Sequence, residues 1–446
     1  MRINHTLTYF ILLVFGFICI CNAQIPESVI QEIDKRITTE TNPSIAVGFY
    51  SEGESHFYVN GYKNIATKEK ATTETLYEIG SITKTFTSLL LAQMREQNLL
   101  DINDPISRYL PDSLILNDDK DTAITFRHLA THTSGLLRLP FGYNPDDWNN
   151  PYKGYHREQL FRYLSKMKPS EVGSSFAYSN LGFGLLGETL AMIADEPYTD
   201  LIHREILKPL SLDNTYFVIP ESEARHRAIA YKEGVPTSQW DFDVMAPAGA
   251  LRSDIGDLLK YGVSYLQEHP LASAQQLVRQ THFNSEQGME HGLAWFKEKN
   301  QIFHGGGTGG FRTYLVIDFN TQQVVAIATN TADNDAADLA NYILDPNMKP
   351  SDLTELAEVA IGESDLEIYT GTYTNDQFGM NFQITSRDGT LFVKLNTQNA
   401  LPTTYVGDHT FKNESVKARI VFSVTDGEAT ELTLFQGGRQ LNCIKQ

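Results

Sequence analysis

Cysteine is nearly missing from this chain: its 446 residues include three, and two of them, Cys19 and Cys21, close an apolar run near the N-terminus. Loss of that leader would leave Cys443 as the sole thiol, which excludes an intramolecular disulfide or a multi-cysteine metal site. Positive charge is also in deficit. Lys and Arg total 36 against 55 Asp and Glu, a net charge of -19, which repels phosphate backbones and anionic lipid surfaces and argues against a nucleic-acid partner. Familiar catalytic signatures are absent: no G-x-x-x-x-G-K-[ST] loop, no G-x-S-x-G elbow and no H-E-x-x-H pair. His128, His132, His291 and His304 lack the carboxylate spacing of a zinc site, so they read mostly as structural or surface residues, and no metal or cofactor is expected. With no fixed-period repeat or low-complexity tract, solenoids and linker arrays drop out.

What is present points to a globular, exported protein. Hydrophobic residues make up 41% and aromatics 11% of the chain, enough for a sizeable core, and the length suggests two or three structural units. Arg2, the apolar run Leu7 to Cys21 and the small Ala23 read as a signal peptide over residues 1–23. The run falls short of the roughly 20 residues that span a bilayer, so no stable membrane span is expected after cleavage. Periplasmic or secreted localisation follows. Neither Cys19 nor Cys21 follows a small residue, which disfavours lipid attachment.

Periodicity then sketches a fold. Val29, Ile30, Ile33 and Ile37 recur at helical spacing, and Ser44 to Tyr50 and Ser55 to Tyr62 read as a hairpin around Glu52-Gly53. Strand-like Leu76 to Ile79 stops at Gly80, and Ser81 is expected to cap a buried helix running to about Gln97. From Asp101 to Ser238 the pattern is mainly helical, a separate lobe. Gly292 to Phe296, Gln301 to His304, Arg312 to Phe319 and Gln323 to Asn330 read as an antiparallel meander closed by a helix from Ala336 to Leu344. Pro346, Asn347 and Pro350 mark a boundary, and Asp388-Gly389 and Asp426-Gly427 are hairpin turns in a β-rich tail. The expected architecture is α/β (α+β): an antiparallel sheet flanked by helices plus a helical lobe over 24–345, a linker over 346–366, and a small all-β, barrel-like domain over 367–446.

Three elements carry chemistry. Ser81-Ile82-Thr83-Lys84 places a hydroxyl and an amine on one helical face, where a desolvated lysine of lowered pKa can take the serine proton. Alone this S-x-x-K spacing is common. Tyr178-Ser179-Asn180 adds a phenol able to relay a proton and an amide able to hold a substrate carbonyl. The run His304-Gly305-Gly306-Gly307-Thr308-Gly309-Gly310 lets substrate approach strand backbone and expose N–H groups to an oxyanion. It also satisfies G-x-G-x-x-G, but a strand-like segment follows where a dinucleotide site needs a helix N-terminus.

In this order and spacing the elements resemble the class C β-lactamase-related serine hydrolases, a family of β-lactamases, D-peptidases and lactamase-like esterases. The resemblance covers roughly Pro26 to Leu344 and takes in Ile124 to Leu129, Thr131 to Leu136 and Pro247-Ala248-Gly249, which are scaffold in that family. It implies that Ser81 attacks a carbonyl, Lys84 and Tyr178 shuttle the proton, and Asn180 positions substrate. The N–H groups of Ser81 and Gly307 would form the oxyanion hole, with His304, Gly306, Gly307 and Thr308 along the substrate. One departure stands out: the family's Lys-Thr-Gly is His304-Gly305-Gly306 here, which exchanges a permanent cation for a group mostly neutral near pH 7. Esters, amides or D-amino acid peptides therefore fit better than β-lactams. The alternative is a non-catalytic penicillin-binding-like sensor or scaffold. Oligomeric state is not legible.

Overall fold

The computed structural model describes residues 24–40, 42–111, 114, 116, 123–169, 171–285, 288–350, 356–375, 380–396, 398, 400–413, 416, 418–425, 427–436 and 439–446. The expected leader, residues 1–23, and the turn residue Asp426 lie outside them.

Helix α1 (Glu27–Thr38) buries Val29 and Ile33 along one stripe, as their spacing requires. Strands β1 (Ser44–Ser51) and β2 (Glu54–Asn64) follow. Between them Glu52 and Gly53 both take positive φ, 53° and 86°, the two-residue turn geometry whose twist suits a hairpin. The remaining strands are β3 (Glu69–Lys70), β4 (Phe283–Asn284), β5 (Glu290–His291), β6 (Phe296–Glu298), β7 (Gln301–Gly307), β8 (Arg312–Asp318) and β9 (Gln323–Thr329). Together they form one nine-stranded antiparallel sheet in the order β3-β2-β1-β9-β8-β7-β6-β5-β4.

Alternation along the central strands divides the core in two. Ile45, Val47, Phe49, Val316, Val325 and Ile327 face α1 and the terminal helix Ala337–Leu344. Their neighbours Ala46, Leu315, Ile317, Val324 and Ala326 face the opposite side, where helices α2 (Thr83–Glu96), α3 (Asn180–Ala194) and α4 (Ile255–Ser264) contribute to a larger core. Helix α2 is enclosed on every side: Thr83 through Ala92 and Met94 are all buried. Two of its threonines are satisfied, Thr85 Oγ1 donating to the Ile82 carbonyl at 2.7 Å and Thr87 Oγ1 to the Pro247 carbonyl at 2.8 Å, whereas the buried Ser88 Oγ has no hydrogen-bond partner. The expected helical lobe holds Phe126–Ala130, Arg157–Leu164, α3 and Tyr198–Ile202, together with the short strand pair Tyr231–Lys232 and Val235–Pro236.

Three local expectations need correction. Ser81 does not cap α2: it lies in a 3-10 turn, Gly80–Ile82, Ile82 holds the cap position, and no side chain bonds there. The turn's own carbonyls receive the first amides, so the Ser81 hydroxyl is left for other partners. Gly292 to Trp295 is not strand but the turn between β5 and β6, in which Gly292 N donates to Trp295 O at 2.8 Å. Trp295 and Leu293 were read as strand residues because they are apolar, yet they are buried at a turn. The strand expected over Gln301 to His304, finally, is longer: β7 continues to Gly307, with Gly305 opposite Tyr314 and Gly306 opposite Thr313.

The C-terminal tail is a closed eight-stranded antiparallel barrel running from Gly371–Asn375 to Arg439–Lys445, the last strand pairing back onto the first. Asp388 and Gly389 adopt φ of 51° and 71° between paired Arg387 and Thr390, the expected hairpin. Tyr373, Phe382, Phe411, Phe422 and Leu432 fill the interior beside the free Cys443. Burial pushes that thiol up to about 11. No helix among the described residues is long and apolar enough to cross a membrane.

Two glycines fix the approach of β7 to the turn that carries Ser81. Gly80 has φ of 50°, and a Cβ there would lie 2.6 Å from Gly307 N; a Cβ on Gly306 would lie 2.0 Å from Ile79 O. Gly306→Ala should therefore cost at least ~3 kcal/mol, a fall in Tm of about 6–12 °C. Gly53→Ala, whose Cβ meets nothing within 4 Å, should cost only its left-handed backbone, about 1 kcal/mol. Thermal unfolding of both variants checks the contrast, and equal losses would contradict it.

Candidate active site

Ser81 Oγ, Lys84 Nζ and the Tyr178 phenol converge. Lys84 Nζ lies 3.1 Å from Ser81 Oγ and donates to the Ala248 carbonyl at 2.5 Å. The Pro247-Ala248-Gly249 segment thus anchors the amine directly. Lys84 has no exposed surface, and burial, reinforced by the positive charge of Arg138, holds its pKa well below the ordinary lysine range. The amine therefore favours its neutral form and keeps a lone pair. The phenol behaves in the opposite way: burial pushes Tyr178 up to about 12, with a hydrogen bond to Ser81 partly offsetting it. A neutral base and an un-ionised acid therefore flank one hydroxyl.

The scaffold segment Thr131 to Leu136 holds the phenol. His132 Nδ1 accepts from Ser179 N at 3.0 Å, and its ring packs 4.2 Å from that of Tyr178. Ser179 in turn caps α3, its hydroxyl accepting from Gly182 N. Asn180 opens α3 beside Tyr178, but its side chain is buried and its Nδ2 donates to Tyr152 Oη at 2.8 Å, leaving Oδ1 without a partner.

A cleft of about 550 Å³ opens over these groups. Ser81, Tyr178, His304, Gly306, Gly307 and Thr308 line it, with Trp240 and Phe296 as apolar surfaces and Arg138 and Arg312 as cations; Asn180 is not part of its lining. Strand β6 pairs with β7 only through Gln301–Phe303. Beyond that point the outer edge of β7 has no strand partner among the described residues, so backbone groups from His304 to Gly307 are available to the cleft. His304 itself is buried, and its Nδ1–H donates to the Gly305 carbonyl at 2.7 Å. Burial, followed by the charge of Lys84, lowers its pKa to about 3, so it brings no positive charge to the strand. His132 and His291 are also buried, in an aromatic cluster with Phe176, and among the described residues no group of His, Cys, Asp and Glu could hold a metal.

Several lining residues escaped the sequence reading. Arg138, Trp240 and Arg312 belong to no motif. Glu78 lies behind the cleft wall, where it accepts from Trp240 N at 2.9 Å and from Arg252 at 3.1 Å. It occupies the strand just before Gly80, and only its charge in an otherwise apolar strand sets it apart.

This fold is that of the beta-lactamase-related serine hydrolases. The chain belongs to the Beta-lactamase family, whose family model matches residues 29–347. Residues 357–443 match a second model, described as a domain of unknown function, DUF3471. A beta-lactamase of Providencia stuartii is 32% identical over 260 residues, covering 56% of this chain and 64% of that protein. The D-alanyl-D-alanine-carboxypeptidase/endopeptidase AmpH of Escherichia coli is 30% identical over 268 residues, 55% of this chain and 68% of AmpH. Among solved structures, the octameric penicillin-binding protein homologue from Pyrococcus abyssi superposes with a TM-score of 0.65 at 21% identity, covering 94% of this chain and 99% of that one. A class C beta lactamase from Rhodobacter sphaeroides gives 0.63 at 22% identity, covering 72% and 99%. These two likenesses establish the fold alone.

The buried histidines carry a stability prediction. His304 and His291 are depressed to about 3 and about 4, and His132 falls well below its usual value, each chiefly by burial. Unfolding lets each bind a proton below about pH 6.5, so their contribution is complete above that pH and is lost as pH falls toward the folded values. His304→Gln should remove a drop on the order of 3 kcal/mol between pH 7 and pH 4. Tm measured against pH would show a flatter acid limb than wild type; an unchanged limb would contradict the assignment.

Proposed function

We propose that this protein is an exported serine hydrolase that cleaves amide or ester bonds through an acyl-serine, acting on small esters, amides or D-amino acid peptides rather than efficiently on β-lactams. The observation that carries it is the fully buried Lys84 amine 3.1 Å from Ser81 Oγ. Export is supported by the leader pattern of Arg2, Leu7 to Cys21 and Ala23.

The steps follow from the proton inventory. Neutral Lys84 accepts the Ser81 proton as Oγ bonds to the substrate carbonyl carbon, and the carbonyl oxygen becomes an oxyanion. The N–H groups of Ser81 and Gly307 receive it; the closeness of Gly80 to Gly307 N supports that pairing, a device worth about 3–4 kcal/mol per donor elsewhere. Tyr178, still protonated at neutral pH, gives its proton to the departing nitrogen or oxygen, and protonated Lys84 restores it. Water then attacks the acyl-serine, its proton returning along the same groups, and the acid is released.

Intact-protein mass spectrometry with a fluorophosphonate should show one adduct, on Ser81, absent from Ser81→Ala. Lys84→Met should lower ester turnover at least about a thousandfold, because the variant has no base. A penicillin adduct that persists, with no turnover of any ester or amide, would instead mark a sensor. The neutral His304 should hold nitrocefin kcat/KM more than about tenfold below that of an efficient lactamase; a value inside that margin would contradict the preference stated here.

A further inference from the structure

Among the described residues, the cleft contains one cation with no carboxylate partner. Arg312 is committed: its Nη1 donates to the Thr308 and Phe311 carbonyls at 2.8 and 2.9 Å, and the charges of Asp335 and Asp333 act on it, Asp335 lining the same cleft. Lys84 is enclosed and His304 neutral. Arg138 differs. It is exposed, lines the cleft with Ser81, and among the described residues has no carboxylate partner. Its guanidinium sits 5.4 Å from the centre of the Tyr178 ring.

That position is built rather than incidental. Ser179 Oγ donates to the Leu137 carbonyl at 2.7 Å and Leu181 N to the Arg138 carbonyl at 3.3 Å. The backbone bearing Arg138 is thereby tied to the residues on either side of Asn180, the segment that also carries Tyr178. A chain of net charge -19 repels anions at long range, so an acidic substrate needs a local cation, and a guanidinium offers a carboxylate paired donors.

We propose that Arg138 is the anion-recognising residue of this cleft, binding a carboxylate on the substrate from the Tyr178 side rather than from the glycine-bearing strand. The function so refined is hydrolysis of acyl compounds that carry an acidic group, and it rests on the serine hydrolase reading above. In this role Arg138 sets selectivity between substrates, separately from its charge, which bears on Lys84 whatever the substrate.

Matched substrates test it on the full-length mature protein. One pair varies the acyl side, the p-nitrophenyl ester of adipate as free acid and as its methyl ester. The other varies the leaving group, the butyryl ester of 3-hydroxybenzoate and of its methyl ester. Wild type should prefer the acid in at least one pair by about tenfold or more in kcat/KM, mainly through KM. Arg138→Gln should bring that ratio to within about twofold of unity, and Arg138→Lys should retain part of it. The ratio matters because Arg138 also influences Lys84, so absolute rates shift for every substrate. No acid preference in wild type, or a preference unchanged in Arg138→Gln, overturns the proposal. Turnover of the neutral esters that survives in Ser81→Ala overturns the hydrolase reading instead. Calorimetric binding to Ser81→Ala separates the two claims: the acid form should bind about tenfold more tightly than its methyl ester, and adding Arg138→Gln should abolish the difference. Equal binding of the two forms by Ser81→Ala would overturn the role of Arg138 whatever the turnover.

Discussion

Everything in the cleft depends on two stretches of backbone that touch without side chains between them. The turn at Gly80 and the strand end at Gly306 and Gly307 approach so closely that a single methyl group on either would collide with main-chain atoms of the other. This contact sets the Ser81 hydroxyl beside a strand edge that has no strand partner among the described residues. Thr313 reinforces it, its hydroxyl donating to the Ile79 carbonyl at 3.0 Å. The nine-stranded sheet is the rigid member of the pair, and α2, enclosed in the larger core, is the other.

The second constraint is electrostatic. Enclosing an amine inside a core is unfavourable for its charged form, and burial accordingly holds Lys84 well below the ordinary lysine range. The same enclosure silences His304 and, with it, the positive charge that the resemblance places on this strand. One environment therefore acts in two ways: it favours the neutral amine of Lys84 and leaves the strand without the positive charge of an imidazolium. Recognition of acidic groups must then come from another wall of the cleft, where Arg138 stands.

The sequence made much of this legible because the informative residues are short-range. Short aromatic and β-branched runs marked most of the central strands, two-residue turns such as Glu52-Gly53 and Asp388-Gly389 marked hairpins, and the spacing of Ser81 and Lys84 placed them within reach of each other. What stayed hidden was long-range. The Ala248 carbonyl meets Lys84 across 164 positions, and Arg138 gains meaning only because the chain returns at Tyr178. Trp295 misled in the other direction, since an apolar residue in a turn looks like a strand residue until its neighbours in space are known. The glycine run was readable as strand backbone open to a substrate, but the need for glycine at position 306 was not, because what selects it is the Ile79 carbonyl from far away in the chain.

The barrel's sealed cysteine has a practical side. Cys443 is the one free thiol of the described chain, shut inside a closed sheet and held in its protonated form. Among the described residues alkylating reagents therefore find no exposed thiol, and none is available there for a disulfide to a neighbouring molecule. An engineered cysteine on the rim of the cleft would then be the one exposed thiol among the described residues, and a fluorophore attached to it would report on the cleft.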